Sequence, residues 1–307
     1  MEWPVANHDV AGRLRADAAA AISKLGGVRS ATPPPTKAHE ELIMAISLSS
    51  LKSTKRTHPP IIALYGTGGI GKTSLAAEFP DPIYLYTEGE EPPTDVDMVG
   101  EQIESFDDLL DVIGQLVTEE HEFKTVIIDS LDALEKLVWR YTCGRMGWDN
   151  IDSNDKGSPT AFGKGYLEAD NDWQEYISAI KALARKDIHV VQILHSEAKS
   201  FNDPMVDSYD RYRPKLQKRA ADIIMEKSDA LLFMNKRASV KQVDKGFGKK
   251  EAKAEGMSGA ERVIYTDERA GFLAKNRMNM PASIPYRKGS GFDDLSKYFY
   301  GATSDAA

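Results

Sequence analysis

One stretch constrains this chain more than any other: Gly66-Thr67-Gly68-Gly69-Ile70-Gly71-Lys72-Thr73 fills every position of the pattern G-x-x-x-x-G-K-[ST]. Its glycines let the backbone turn so that successive N–H groups aim at one centre without interference from Cβ atoms. Phosphate oxygens suit such a centre. Lys72 is then placed to reach the β- and γ-phosphates, and the Thr73 hydroxyl to ligate Mg²⁺. An apolar run at 61–65 predicts a strand before the loop. A helix opening at Lys72 adds its positive N-terminal end. With Gly near 7% of average composition, a chance match is expected in roughly one chain in a hundred of this size. The sequence therefore predicts ATP and Mg²⁺ as ligands, with Gly66, Thr67, Gly68, Gly69, Ile70, Gly71, Lys72, Thr73 and Ser74 around the phosphates.

Beyond the loop, apolar strands at 83–86, 126–128 and 189–194 alternate with helical stretches at 132–141 and 170–185. A further amphipathic helix opens at the capping pair Ser105 and Asp108. That alternation predicts an α/β fold, a mainly parallel central sheet covered by helices on both faces. Two later β-rich runs, 230–243 and 262–266, flank a tip rich in Gly and Lys. The start of the chain reads differently, with Ala-rich helix former, a Pro33-Pro34-Pro35 linker and a second helical stretch. The division is a helical N-terminal extension 1–46, a core 47–300 and a flexible tail 301–307. No apolar run approaches the roughly 20 residues of a membrane span. The single Cys143 excludes an intramolecular disulfide, and the N-terminus lacks a signal-peptide pattern. A soluble, cytoplasmic chain with no membrane partner is expected. The net charge of −8 opposes a wholly basic surface for duplex DNA but leaves room for a local basic groove.

Asp129 ends the third strand, where a Walker-B carboxylate holds a Mg²⁺-bound water; its plain alternative is a helix cap. Ser130 follows, so no second carboxylate stands beside it. Glu88, after the strand at 83–86, is the candidate to orient or deprotonate water, because parallel neighbours end on one rim of a sheet. The plain alternative is an acidic loop with Glu90, Glu91, Asp95 and Asp97. Asn235-Lys236-Arg237-Ala238 lacks the carboxylate of a guanine-reading Asn-Lys-x-Asp, which favours adenine.

Together these pieces resemble the RecA-like recombinase fold over about residues 47–300. Tyr86-Thr87-Glu88-Gly89 is similar to its catalytic strand end, Ile128-Asp129-Ser130 to its Walker-B strand, and Ala274-Lys275-Asn276-Arg277 to a segment reaching the neighbouring subunit's ATP. Lys275 and Arg277 alternate along an extended segment, so both project to one side. His195 stands where the family has a γ-phosphate-sensing amide. The resemblance implies catalytic roles for Glu88, Lys72, His195, Lys275 and Arg277, and a homo-oligomer, ring or filament. It further implies single-stranded DNA bound by loops at about 143–166 and 197–219, with a single-strand-binding protein as a further partner. The first loop brings Arg145, Trp148, Lys156, Phe162 and Lys164. The second brings Lys199, Arg211, Arg213, Lys215, Lys218 and Arg219, interleaved with Tyr209 and Tyr212, as backbone attraction and base stacking require. Lys245, Lys249 and Lys250 form a further cationic tip. Phage-encoded ATPases of this superfamily, some of them single-strand annealing proteins, share Tyr-Gly-x-x-Gly-x-Gly-Lys-Thr, Thr-Glu-Gly and Ala-Lys-Asn-Arg. The implied role is ATP hydrolysis on single-stranded DNA in recombination or annealing, in the host cytoplasm if phage-encoded. Two alternatives stay open: a DNA-independent P-loop NTPase or kinase with the 211–219 arginines as a lid, and a nucleotide-gated interaction protein.

Overall fold

Every residue of β1 (Ile61–Gly66) is buried, and successive side chains take opposite faces: Ile61, Ala63 and Tyr65 enter one apolar cluster, Ile62 and Leu64 another. A strand covered on both faces belongs in the middle of a sheet. β1 accordingly lies between β5 (His189–Phe201) and β7 (Ala230–Lys236), parallel to both. β4 (Thr125–Asp129), β2 (Pro82–Thr87) and β3 (Val99–Ile103) extend the β5 side, all parallel. On the β7 side, β10 (Arg262–Tyr265) and the short β11 (Lys275–Asn276) pair antiparallel with β7, and β12 (Ser283–Tyr286) antiparallel with β10. The computed structural model describes residues 57–202, 207–237, 240–244, 250–254 and 261–299. The expected extension 1–46 and tail 301–307 lie outside them.

α2 (Phe106–Thr118), α3 (Leu131–Met146), α4 (Lys164–Arg185) and α5 (Lys218–Lys227) cover one face through Leu109, Leu134, Trp173 and Ile224. α1 (Lys72–Ala76) and α6 (Gly291–Ser296) cover the other through Leu75 and Leu295. The fold is thus the expected α/β arrangement, a mostly parallel sheet flanked by helices. The capping box is present: the Asp108 N–H donates to Ser105 Oγ at 3.1 Å, and the Ser105 N–H to Asp108 Oδ2 at 2.8 Å. Among the described residues, no helix is long and apolar enough to cross a membrane.

Where elements differ from the sequence reading, pairing explains it. β5 does not stop at 194. Its polar second half runs to Phe201 because β6 (Tyr209–Pro214) pairs with it antiparallel, making a hairpin of a segment expected as loop. β3 has one buried residue, Ile103, so no apolar run announces it; among the described residues its one strand neighbour is β2. α4 starts at Lys164 rather than 170, since its first turns carry few apolar residues. β8 (Val240–Asp244) and β9 (Lys250–Ala254) form a separate antiparallel pair.

At the exit of β1, Gly66 is in register with Met234 of β7, and a Cβ on it would stand 2.3 Å from the Met234 carbonyl oxygen. Gly66→Ala must push the two strands apart, an overpacking cost of about 1–3 kcal/mol. Urea denaturation should show a correspondingly lower midpoint; an unchanged midpoint contradicts the close packing.

Candidate active site

The phosphate loop leaves β1 and enters α1, and the tips of β4 and β5 form the opposing wall. A cavity of about 260 Å³ lies between, lined by Gly69, Gly71, Lys72, Thr73, Ser74, Glu90, Pro93, Asp129, His195 and Arg262. Lys72 is buried, and its Nζ donates to the carbonyls of Gly66 at 3.2 Å and Thr67 at 3.1 Å. Burial lowers its pKa, opposed by the charges of Asp129, Glu90 and Asp132. Thr73 Oγ1 donates to Asp129 Oδ2 at 2.8 Å, and Tyr84 OH donates to the same oxygen at 3.0 Å. Asp129 is 2% exposed; burial pushes its pKa up, partly offset by the Thr73 hydrogen bond. A hydroxyl and a carboxylate side by side are the hard oxygen donors that Mg²⁺ takes when phosphates and water complete its shell. The residues present fit that ion.

His195 is in register with Gly66, so β5 delivers its ring to the loop's starting point. Asp132, in the first turn of α3, accepts from the His195 N–H at 3.0 Å and lies 3.1 Å from Nδ1. That contact raises the imidazole pKa against the effect of burial. Glu90 Oε1 stands 3.8 Å from the same Nδ1.

The two neighbouring glutamates part company. Glu88 is exposed and lines a different cavity of about 400 Å³, with Gln102, Lys136 and Arg140, whereas Glu90 lines the phosphate cavity. Between them Gly89 adopts φ 90°, and the Glu90 N–H closes a turn onto the Thr87 carbonyl at 3.1 Å. A turn through a left-handed glycine decouples facing from strand alternation. Glu90 and Arg262 were not singled out in the sequence. A glycine after Glu88 was the available signal for the first; a lone arginine opening a late strand offered none for the second.

The proposed interface cations sit elsewhere. Lys275 Nζ donates to the carbonyls of Met225, Glu226 and Ser228 at 2.6, 2.9 and 3.0 Å, and Arg277 Nη2 to Glu226 O at 3.0 Å. Both project to one side, as their alternation predicts, and meet the C-terminal end of α5, where cations are favourable. Of the DNA candidates, Arg211 pairs with Glu268 at 2.8 Å and lies over the Phe201 ring, and Arg213 pairs with Glu197 at 3.1 Å. Arg219 binds Asp170, with Nε at 2.9 Å. Tyr212 stacks on Phe233 and Tyr209 packs against Phe201. Lys199, Lys215 and Lys218 are exposed. Lys245 and Lys249 lie outside the described residues, and so does the side chain of Lys250.

A phosphate loop with an apposed strand-end carboxylate, on a mostly parallel helix-covered sheet, is the arrangement of a P-loop nucleotide-binding fold. The chain belongs to the AAA domain family AAA_24, whose model matches residues 58–278. It is also similar to the SPbeta prophage-derived protein YorG of Bacillus subtilis (strain 168), 25% identical over 180 residues. That match covers 57% of this chain and 50% of YorG, so the chain spans about half the length of its curated relative. Among solved structures, the RadB recombinase aligns over 76% of this chain and 90% of its own at 14% identity, with a TM-score of 0.40.

Glu135, one turn beyond Asp132 on α3, is buried and accepts the Gln217 N–H with both oxygens, at 2.9 and 3.2 Å. Burial, only partly offset by that N–H and reinforced by Asp132 and Glu197, pushes its pKa up to about 7 from 4.5. The folded value exceeds the unfolded one, so the unfolded chain gives up the proton first and stability falls as pH rises from about 4.5 to about 7. Glu135→Gln should remove that loss. Denaturation should find the variant more stable than wild type by up to about 3 kcal/mol at pH 8, with the gap closed near pH 4. A gap of constant size across that range contradicts the assignment.

Proposed function

We propose that this chain is a Mg²⁺-dependent ATPase that acts on single-stranded DNA, in recombination or annealing, as a homo-oligomer. One observation carries the nucleotide half: buried Lys72 and the Thr73–Asp129 pair converge on one cavity. Thr73 and Asp129 would hold Mg²⁺, which when bound neutralises charge on the β- and γ-phosphate oxygens. Lys72 exchanges two loop carbonyls for phosphate oxygens, a stronger, charge-assisted set of acceptors. His195, oriented through Nδ1 by Asp132, keeps Nε2 for a phosphate oxygen. We assign water orientation to Glu90 by its place on the cavity wall, against Glu88, which the family resemblance favours.

The DNA half rests on continuity. β5 carries His195 at the cavity and runs unbroken into the hairpin with β6, beside which Lys199, Lys215 and Lys218 are exposed. Phosphate contacts there would put DNA and nucleotide on one strand. The pairing of Arg211, Arg213 and Arg219 with carboxylates favours the second reading, an NTPase that needs no DNA. For the oligomer, Lys275 and Arg277 are proposed to reach a neighbouring subunit's ATP by leaving the α5 carbonyls. The prophage-derived relative supports a working place in the bacterial cytoplasm.

Lys72→Ala should lower ATP affinity by about 10- to 100-fold, the worth of a charge-assisted contact, and abolish turnover; normal turnover removes the proposal's basis. Glu90→Gln should keep ATP affinity and lose hydrolysis, while Glu88→Gln changes little; the reverse result returns the role to Glu88. Single-stranded DNA should stimulate the ATPase, and nucleotide should shift its elution from a sizing column. Lys215→Ala with Lys218→Ala should flatten the salt dependence of DNA binding by about 0.7 in log–log slope per lost phosphate contact. A protein that hydrolyses ATP equally with and without DNA, and binds none, is the DNA-independent NTPase.

A further inference from the structure

Arg262 opens β10, in register with Lys236 of β7 and Tyr286 of β12. Strand order places β10 and β7 on one side of β1, with β5, β4 and β2 on the other. Glu90, Asp129 and His195 all come from that other side. Arg262 nevertheless lines the same cavity, and its Nη1 lies 2.9 Å from where a Cβ on Gly71 would stand. Arg145, Arg211, Arg213, Arg219 and Arg237 each hold a carboxylate. The half-buried guanidinium of Arg262 has no hydrogen bond or ion pair to any described residue. Its N–H donors therefore face the cavity rather than a carboxylate among the described residues, and an anionic ligand there would gain charge-assisted hydrogen bonds from them.

Resting on the reading that the loop binds a nucleotide, we propose that Arg262 is a same-chain binding residue for the α- and β-phosphates. The Thr73–Asp129 pair marks the end of the cavity where the γ-phosphate lies, so a cation entering beside Gly71 from the opposite side meets the other end of the chain of phosphates. A planar fork suits two oxygens on one phosphate or on adjacent ones, a geometry an ammonium does not reproduce. The contact is common to nucleoside di- and triphosphates. Arg262 therefore sets how tightly the product is held as well as the substrate.

The test is isothermal titration calorimetry with Mg²⁺ and either ADP or the non-hydrolysable analogue AMP-PNP. Arg262→Ala should lose about 10- to 100-fold in affinity for both, by similar factors, and Arg262→Lys should recover part of the loss. The melting transition of the nucleotide-free variants should match wild type. Should the alanine variant fail to melt cooperatively, Arg262→Gln keeps the aliphatic stem and gives the same reading. Unchanged ADP affinity in a folded variant overturns the inference. A loss confined to AMP-PNP also overturns it, by moving the guanidinium to the γ-phosphate. Wild-type protein that binds both nucleotides without hydrolysing ATP sinks the ATPase proposal and leaves this one standing.

Discussion

The site depends on the burial of β1 between two parallel neighbours. Parallel pairing aligns strand ends, so once Gly66 is set beside His195 and Met234, the loop, the His195 ring and the neighbouring strand tip share one rim. Asp229 fixes the other end of the strand: its carboxylate accepts the Ile61 N–H at 2.9 Å, and its own N–H donates to Ile61 O at 2.8 Å. One end of β1 is thereby held by strand register and the other by the side chain and backbone of Asp229. The phosphate loop inherits its rigidity from that strand.

Around this rim the protein keeps ionisable groups where water would serve them better. Lys72, Asp129 and Glu135 are all buried, and burial works against the charged form of each. Asp132 beside them has its pKa lowered: burial opposes ionisation, but the hydrogen bonds from His195 outweigh it. The result is a polar layer under the phosphate cavity whose members satisfy one another imperfectly. Stability is given up at the place where a polyanionic ligand and a divalent cation would restore it.

The sequence made the central architecture legible because each core strand carries a continuous apolar run and the loop's glycine spacing admits few other uses. What it hid has physical reasons. The alternation that predicts which way a strand residue faces ends at Gly89, so Glu88 and Glu90 could not be told apart by counting. The second half of β5 is held by a partner strand rather than by burial, and reads as a polar loop. Basic side chains at 211, 213 and 219 advertise a nucleic-acid surface until their carboxylate partners, at 268, 197 and 170, are brought in from distant parts of the chain. Arg262 is invisible for a related reason: what distinguishes it is its place on the cavity wall, which only the folded sheet reveals.

The continuity of β5 also has a mechanical side. Six of its residues run past His195, so at ~3.3 Å per residue the hairpin extends roughly 20 Å beyond the point of contact with the nucleotide cavity. Paired along that length with β6, and bonded through Tyr212 to Gly271 and Leu273, it is a braced extension of the sheet rim. A tilt of a few degrees at His195 displaces its far end by about 1 Å, at the same strand rise. Substitutions that soften the extension midway, such as at Ala198 or Tyr212, would leave both ends intact and shorten the distance over which the tip can feel the rim.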